Sequence, residues 1–271
     1  MSGLVDVEAA VASRPVAGRK SVWDALEREG VLGYLLVLPA LAILALFIAY
    51  PFALGVWLSL TDKLVGKPAS FVGVENFVIL WDSQIFRRTV LNTFIYTVAA
   101  TILKLVLGMA LALLLNQKFR FQRLARAASL LPWIVPTVLS TMAWLWLFDA
   151  TYSPFNCILI HLGVLKQGIR WLGDPVLAML SIILVNTWRG IPFFGISFLA
   201  ALQTISREVY EAAEIDGAGM LATFWYVTLP LIKPVLFVVL LFSIIWTFAD
   251  FQLVYALTRG GPYNSTHLFA T

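Results

Sequence analysis

Four ionisable side chains sit within long apolar runs of this 271-residue chain: Lys104, Arg189, Lys233 and Asp250. An Arg or Lys at the centre of a membrane helix costs about 2.5–3.5 kcal/mol on insertion scales, so each needs a reason to be there. Lys233 lies close to the end of its run and can reach the interface along its own apolar stem. At 1.5 Å per residue, Arg189 falls about 20 Å past the outer end of its run and Lys104 about 21 Å into its own. Two cations at one depth do not pair, so at least one is expected to face a wet cavity or a partner subunit. Asp250, about 10 Å from the outer end of its run, is the one acid within them and can counter Arg189 only if that side chain reaches outward. Two roles are open for Arg189: a buried partner that holds helices together, or a group that touches a translocated solute. Asn186, Trp188, Phe193 and Phe194 add an amide and aromatic faces nearby, a combination that suits a sugar and also serves for plain packing. Arg189, Asn186, Trp188, Asp250 and Lys104 are therefore the candidate translocation-path residues.

The elements that must carry these groups follow from composition. The hydrophobic fraction is 61% and charged residues supply 13%, against roughly 45–50% and ~25% in soluble domains. The polar remainder could not cover so much apolar surface in water. Five stretches, about 32–60, 90–115, 127–148, 176–205 and 231–257, are long enough to cross a bilayer as helices. They include Pro39, Pro51, Pro132, Pro136, Pro192 and Pro234, which spanning helices tolerate where neighbours satisfy the freed carbonyls. Alternating ten-residue strands are absent from the pattern, which excludes an outer-membrane barrel. The fold class is an all-α integral membrane bundle. Residues 1–30 read as a solvated tail and 31–271 as the transmembrane domain. The first apolar run is too long for a signal-peptide core and reads as a retained span. Lys118, Arg120, Arg123 and Arg126 crowd the short 116–126 loop and mark it cytoplasmic. That places the N-terminus inside and the 61–89 and 149–175 loops outside.

Several chemistries are excluded. Cys157 is the only cysteine, so no disulfide framework exists. His161 and His267, both assigned to the surface, leave too few ligands for a metal site and no basis for a Ser/His/Asp triad. A GxxxxGK[ST] phosphate loop does not occur, so ATP cannot be held that way.

Between the fourth and fifth spans runs Ser206-Arg207-Glu208-Val209-Tyr210-Glu211-Ala212-Ala213-Glu214-Ile215-Asp216-Gly217-Ala218. Ser206 suits an N-cap, Glu208 sits where the helix dipole favours an anion, and Gly217 suits a C-cap. The spacing predicts a short helix over about 207–217, outside the membrane. Val209, Ala212 and Ala213 share one narrow side, able to enter a groove. Four acids against one Arg is unusual for a loop on the cytoplasmic side.

Glu211-Ala212-Ala213, then Gly217, then Val227-Thr228-Leu229-Pro230, resembles the "EAA" loop of importer-type ABC permeases, in the extended form Glu-Ala-Ala-x-x-Asp-Gly-Ala. Other passages resemble the sugar-permease branch, typified by the first membrane subunit of maltose-type and glycerol-phosphate-type importers. These are Tyr50-Pro51, Ser59-Leu60, Phe71-Val72-Gly73-Val74-Glu75-Asn76-Phe77, Asn92-Thr93, Pro132-Trp133, Trp188-Arg189-Gly190 with Pro192-Phe193, and Leu257-Thr258-Arg259-Gly260-Gly261-Pro262. The resemblance runs from about residue 32 to the last residue.

The resemblance implies a permease subunit of a type I ABC importer in a bacterial inner membrane, multi-pass, moving a sugar, polyol or related polar solute and doing no chemistry. Glu211, Ala212, Ala213, Asp216 and Gly217 would couple it to two cytoplasmic ATPase subunits, which would hold the ATP and Mg²⁺; no cofactor is implied for this chain. A second homologous permease and an external solute-binding protein would complete the assembly, with no nucleic acid. The family pattern has six spans, and the sixth is expected beyond Thr271. Two other classes compete on the residues alone. A membrane-embedded enzyme could use Lys104, Arg189 and Asp250, and a self-contained ion-coupled transporter would explain buried charges but not a helix shaped for a groove.

Overall fold

A computed structural model describes residues 29–64 and 66–271, so the reading of the N-terminal tail lies almost wholly outside the described residues. Contacts divide the chain into two units at Ile79/Leu80.

In the first unit, α1 (Glu29–Leu44) passes through a π-helical turn (Ala45–Ala49) into α2 (Tyr50–Ser59). From Val31 to Ser59 the helix is apolar throughout and buries none of its residues within the chain. Its end is tied by the motif that follows. Asn76 Nδ2 donates to the carbonyls of Ser59 and Thr61 at 2.9 Å each, and the Val72 and Gly73 amides both donate to Leu60 O. Gly73 takes a φ of +61°, which a glycine adopts without a Cβ penalty. Helix α3 (Glu75–Asp82) starts from this knot.

The second unit is built on two long helices, α4 (Gln84–Asn116) and α9 (Pro175–Leu202). Each has a built start: Ser83 Oγ accepts from the Phe86 amide, and Asp174 Oδ1 accepts from the Val176 and Leu177 amides with Pro175 in the first turn. The two helices approach closely because glycines face each other. A Cβ on Gly108 would fall 2.3 Å from Phe194 Cβ, and one on Gly195 would fall 2.6 Å from Leu111 Cδ2. Close backbone approach at small residues is how helices associate where lipid offers no hydrophobic drive.

The third expected span, 127–148, is not one helix. The chain runs α5 (Gln122–Ser129), α6 (Leu131–Ile134) and α7 (Thr137–Leu147), with a 91° bend between Gln122–Ile134 and Thr137–Leu147. Val135 is extended (φ −65°, ψ 129°), as the residue before Pro136 must be, and Pro136 has no N–H with which to continue the ladder. After α8 (Pro154–His161), α9, α10 (Arg207–Ile215) and α11 (Met220–Thr223), a π-helical turn at Phe224–Thr228 leads into α12 (Leu229–Phe248). The fifth expected span, 231–257, is also divided. Helix α12 stops at Ala249, and the Asp250 side chain accepts from the Leu253 amide to start α13 (Phe251–Thr258).

Two buried apolar clusters hold this unit. One gathers Tyr96, Ala100, Ile182, Val185, Trp144 and Leu253; the other gathers Met109, Ala112, Phe198, Leu202, Ile232 and Val239. Along both α4 and α9 the two clusters are separated by one layer, at Lys104 and Asn186. The turn after α13 docks on α4: Asn92 Nδ2 donates to the carbonyls of Asn264 and His267, and the Phe269 amide donates to Thr93 Oγ1 at 3.0 Å. Asn92-Thr93 and the Gly-Gly-Pro segment, separate motifs in the sequence, thus meet in space. His267 is half-buried, contrary to its surface assignment, because its ring lies where a Cβ on Gly260 would be.

Replacing Gly108 with Val should overpack the α4–α9 contact and cost about 1–3 kcal/mol. The check is a lower Tm of the purified chain in detergent, with Gly55→Val, which meets nothing within 4 Å, as the neutral control.

Candidate functional site

The layer between the two clusters is polar and continuous. Lys104 Nζ, on α4 and 4% exposed, donates to Asn186 Oδ1 on α9 at 2.9 Å and to Thr247 Oγ1 on α12 at 2.7 Å. Thr247 Oγ1 in turn donates a hydrogen bond to Ser243 O at 2.6 Å. Asn186 Nδ2 donates to Asp250 Oδ2 at 2.8 Å, and Tyr96 OH donates to the same oxygen at 2.9 Å. One amide therefore bridges a cation and an anion by using both of its ends, which fixes its orientation. Gly190 makes room for this, since a Cβ there would lie 2.2 Å from Lys104 Cδ.

Against this network opens a cleft of about 600 Å³, lined by Lys104, Asn186, Arg189, Ser243, Thr247 and Asp250 on its polar side. Its apolar wall is an aromatic group: Trp133 stacks on Phe193 (5.3 Å, 17°), and Trp246 lies 5.7 Å from Trp133 and 5.1 Å from Phe193. Trp133 reaches the cleft from α6 because the bend at Pro136 turns that segment across the bundle.

Four of the five candidate path residues meet here: Lys104, Asn186, Arg189 and Asp250. Trp188 does not. It belongs to the outer apolar cluster and meets Trp144 edge-on at 5.4 Å, because neighbouring residues on a helix point about 100° apart. The conditional pairing of Asp250 with Arg189 does not form. Among the described residues Arg207–Glu211 is the one ion pair, and Asp250 is held by Asn186, Tyr96 and the Leu253 amide instead. Ser243, Thr247, Trp133 and Trp246 were not among the sequence candidates. An i,i+4 Ser/Thr pair facing one way in an otherwise apolar helix was the signal available for the first two.

The polar segment 206–218 forms a helix over Arg207–Ile215. Ser206 has the extended backbone of an N-cap, but its hydroxyl makes no cap bond. The other end is closed. The Ala218 amide donates to Ala213 O and the Gly217 amide to Glu214 O, with Gly217 at φ +76°: a Schellman turn. Ala213 is 8% exposed, so it is buried within the chain. Glu211, Ala212, Asp216 and Gly217 remain exposed, with Glu211 paired to Arg207 at 2.8 Å. Lys233 is exposed and lies over the Phe237 ring at 5.7 Å.

Residues 104–268 match the family described as "Binding-protein-dependent transport system inner membrane component". The chain belongs to this family. It is 38% identical to the trehalose/maltose transport system permease protein MalF of Thermococcus litoralis over 88% of this chain and 81% of that protein. It is 39% identical to the sulfoquinovosyl glycerol transport system permease protein SmoG of Agrobacterium fabrum, over 89% and 79%. Identity to the sn-glycerol-3-phosphate transport system permease protein UgpA of Yersinia pestis is 34%, over 87% and 79%. Its fold is similar to that of a bacterial ABC transporter involved in the import of alginate, with TM-score 0.75 and 22% identity over 91% of this chain and 82% of that one. The permease is thus a multi-pass, all-helical membrane protein of the importer class, and its polar layer and cleft lie within the matched region.

Asn186→Leu would take one partner from Lys104 and one from Asp250 at once, leaving Lys104 only Thr247 and Asp250 only Tyr96 and the Leu253 amide. Leaving a buried charge without its partner costs about 3–5 kcal/mol, so this variant should show a large loss of detergent Tm, greater than that of Thr247→Val, which removes one acceptor.

Proposed function

We propose that this permease forms half of the translocation path for a sugar, polyol or related polar solute, driven by ATPase subunits that grip the Arg207–Ile215 helix. The observation that carries the solute class is the cleft itself. Hydrogen-bonding groups face an aromatic wall, matching a sugar's hydroxyls on one side and its C–H face on the other. The names of the relatives, which include trehalose, maltose, sulfoquinovosyl glycerol and glycerol 3-phosphate, support the same class. A second homologous permease would close the path, and an external binding protein would deliver the solute; a solved relative was captured with an alginate pentasaccharide-bound periplasmic protein. ATP and Mg²⁺ belong to the ATPases.

The coupling route is mechanical. Helix α10 packs on the π-helical turn at Phe224–Thr228, where Thr228 Oγ1 donates to Tyr210 OH at 3.4 Å. That turn continues into α12, whose far end carries Thr247, an acceptor for Lys104. A rigid helix of 20 residues spans about 30 Å, so displacement of α10 would be delivered to the polar layer. The two states would differ in whether α12 stays latched to Lys104, and the ATPases and loaded binding protein would bias the balance. With the basic 116–126 loop and α10 on the cytoplasmic side, the N-terminus is inside and Cys157 outside.

Two measurements test this. Gly217→Val forces a β-branched residue into the left-handed region at a cost of about 1–2 kcal/mol and should lower solute-stimulated ATP hydrolysis at least fivefold while the permease still inserts and folds. Unchanged stimulation with a stoichiometric ATPase bound would overturn the coupling assignment. Separately, a membrane-impermeant maleimide should label Cys157, which is exposed, from the outside of intact cells; labelling only after permeabilisation reverses the orientation.

A further inference from the structure

Three charged groups line the cleft, and their bonding is unequal. Asp250 accepts from Tyr96, Asn186 and the Leu253 amide, which occupies both of its oxygens. Lys104 gives two of its three N–H groups to Asn186 and Thr247. Arg189 has no hydrogen bond and no ion pair among the described residues, and its Nε is buried without a partner. A guanidinium carries five N–H donors and no acceptor, so this side chain brings a full set of unused donors to the cleft at mid-depth. A second orphan lines the same cleft: Ser243 is 2% exposed and its Oγ finds no partner. Ser243 O is already taken by Thr247, but its hydroxyl proton is free to donate.

The other two charges on the cleft, Lys104 and Asp250, are both bonded within the chain, so the unmatched Arg189 is the one of the three left to meet an acceptor that is not part of the chain. The local charge points the same way, since two cations and one acid leave the cleft with a surplus positive charge in a low-dielectric setting where it is poorly screened. An Arg fork suits a group with two adjacent oxygens.

We propose that the cleft is selective for an anionic polyol, one carrying a carboxylate, phosphate or sulfonate, and that Arg189 with Ser243 is the specificity-determining pair that receives its anionic end. This rests on the reading of the cleft as the solute path. The aromatic wall would take the polyol part, and the network of Lys104, Asn186 and Asp250 would act as a rigid floor, not as a ligand.

The test uses the assembled permease–ATPase complex in detergent, without the binding protein, so that any signal comes from the membrane subunits. Saturation-transfer NMR titrations with two matched pairs, glucuronate against glucose and glycerol 3-phosphate against glycerol, should show the acidic member of at least one pair bound at least tenfold more tightly, equivalent to about 1.4 kcal/mol. In Arg189→Gln this preference should fall to within twofold while the neutral probe is unaffected, and Arg189→Lys should restore part of it. Equal binding of acidic and neutral probes to the unaltered complex, or a preference that survives Arg189→Gln, overturns the charge selectivity and leaves the polyol path standing. Absence of binding by all four probes overturns both. If Arg189→Gln fails to co-purify with the ATPase, Arg189 is held by a partner subunit's acid and the proposal is overturned.

Discussion

A lysine ammonium in the middle of a membrane bundle governs the rest of this structure. Hydrocarbon offers it no water, so every proton it carries must find an oxygen supplied by the protein. Lys104 meets that demand for two of its three N–H groups with Asn186 and Thr247, which belong to two other helices. Three spans are therefore fixed in register by one nitrogen. The requirement propagates: Asn186 must point its carbonyl at the lysine, which turns its amide toward Asp250, and Asp250 must then stop one helix and begin another to present its carboxylate there. Gly190 has to be a glycine for the lysine stem to pass.

Around that layer the packing is ordinary for a membrane protein. Two apolar clusters lie on either side of it, and small residues rather than hydrophobic drive bring α4 and α9 together. A polar layer between two apolar ones specifies register more sharply than it stabilises, because slippage by a turn would strand several groups together.

Much of this was legible in the residues. Long apolar runs establish the all-helical membrane fold, and the charges within those runs mark Lys104, Arg189 and Asp250 as candidates for one site. Three things were not legible, each for a physical reason. Apolar content does not distinguish a straight span from a broken one, so the right-angle turn at Pro136 and the cap at Asp250 were missed although both residues were in view. Depth along a helix does not give azimuth, so Trp188 was placed with its neighbour Arg189 when one step of helix turns it into the other cluster. Charge and depth left open whether Asp250 could reach Arg189; an amide and a phenol take the carboxylate instead. The short helix at 207–215 and its glycine ending follow from local chemistry alone, while its bond from Thr228 to Tyr210 depends on the turn at Phe224–Thr228, outside that segment.

The docking of the last described turn on α4 has a consequence for how the molecule is made. Asn92 and Thr93 are bonded by main-chain groups of Asn264, His267 and Phe269, separated from them by 172 to 176 positions. During synthesis the outer end of α4 emerges early, and its polar groups stay without these partners until nearly the whole matched region has been translated. Closing so long a loop is entropically slow, so this joint is among the last to set. It acts as a seal on assembly: a chain that misplaces any span in between cannot bring the two segments together. Side chains add to the joint, since Thr266 and Leu268 are buried and Phe269 meets Phe86 and Phe248.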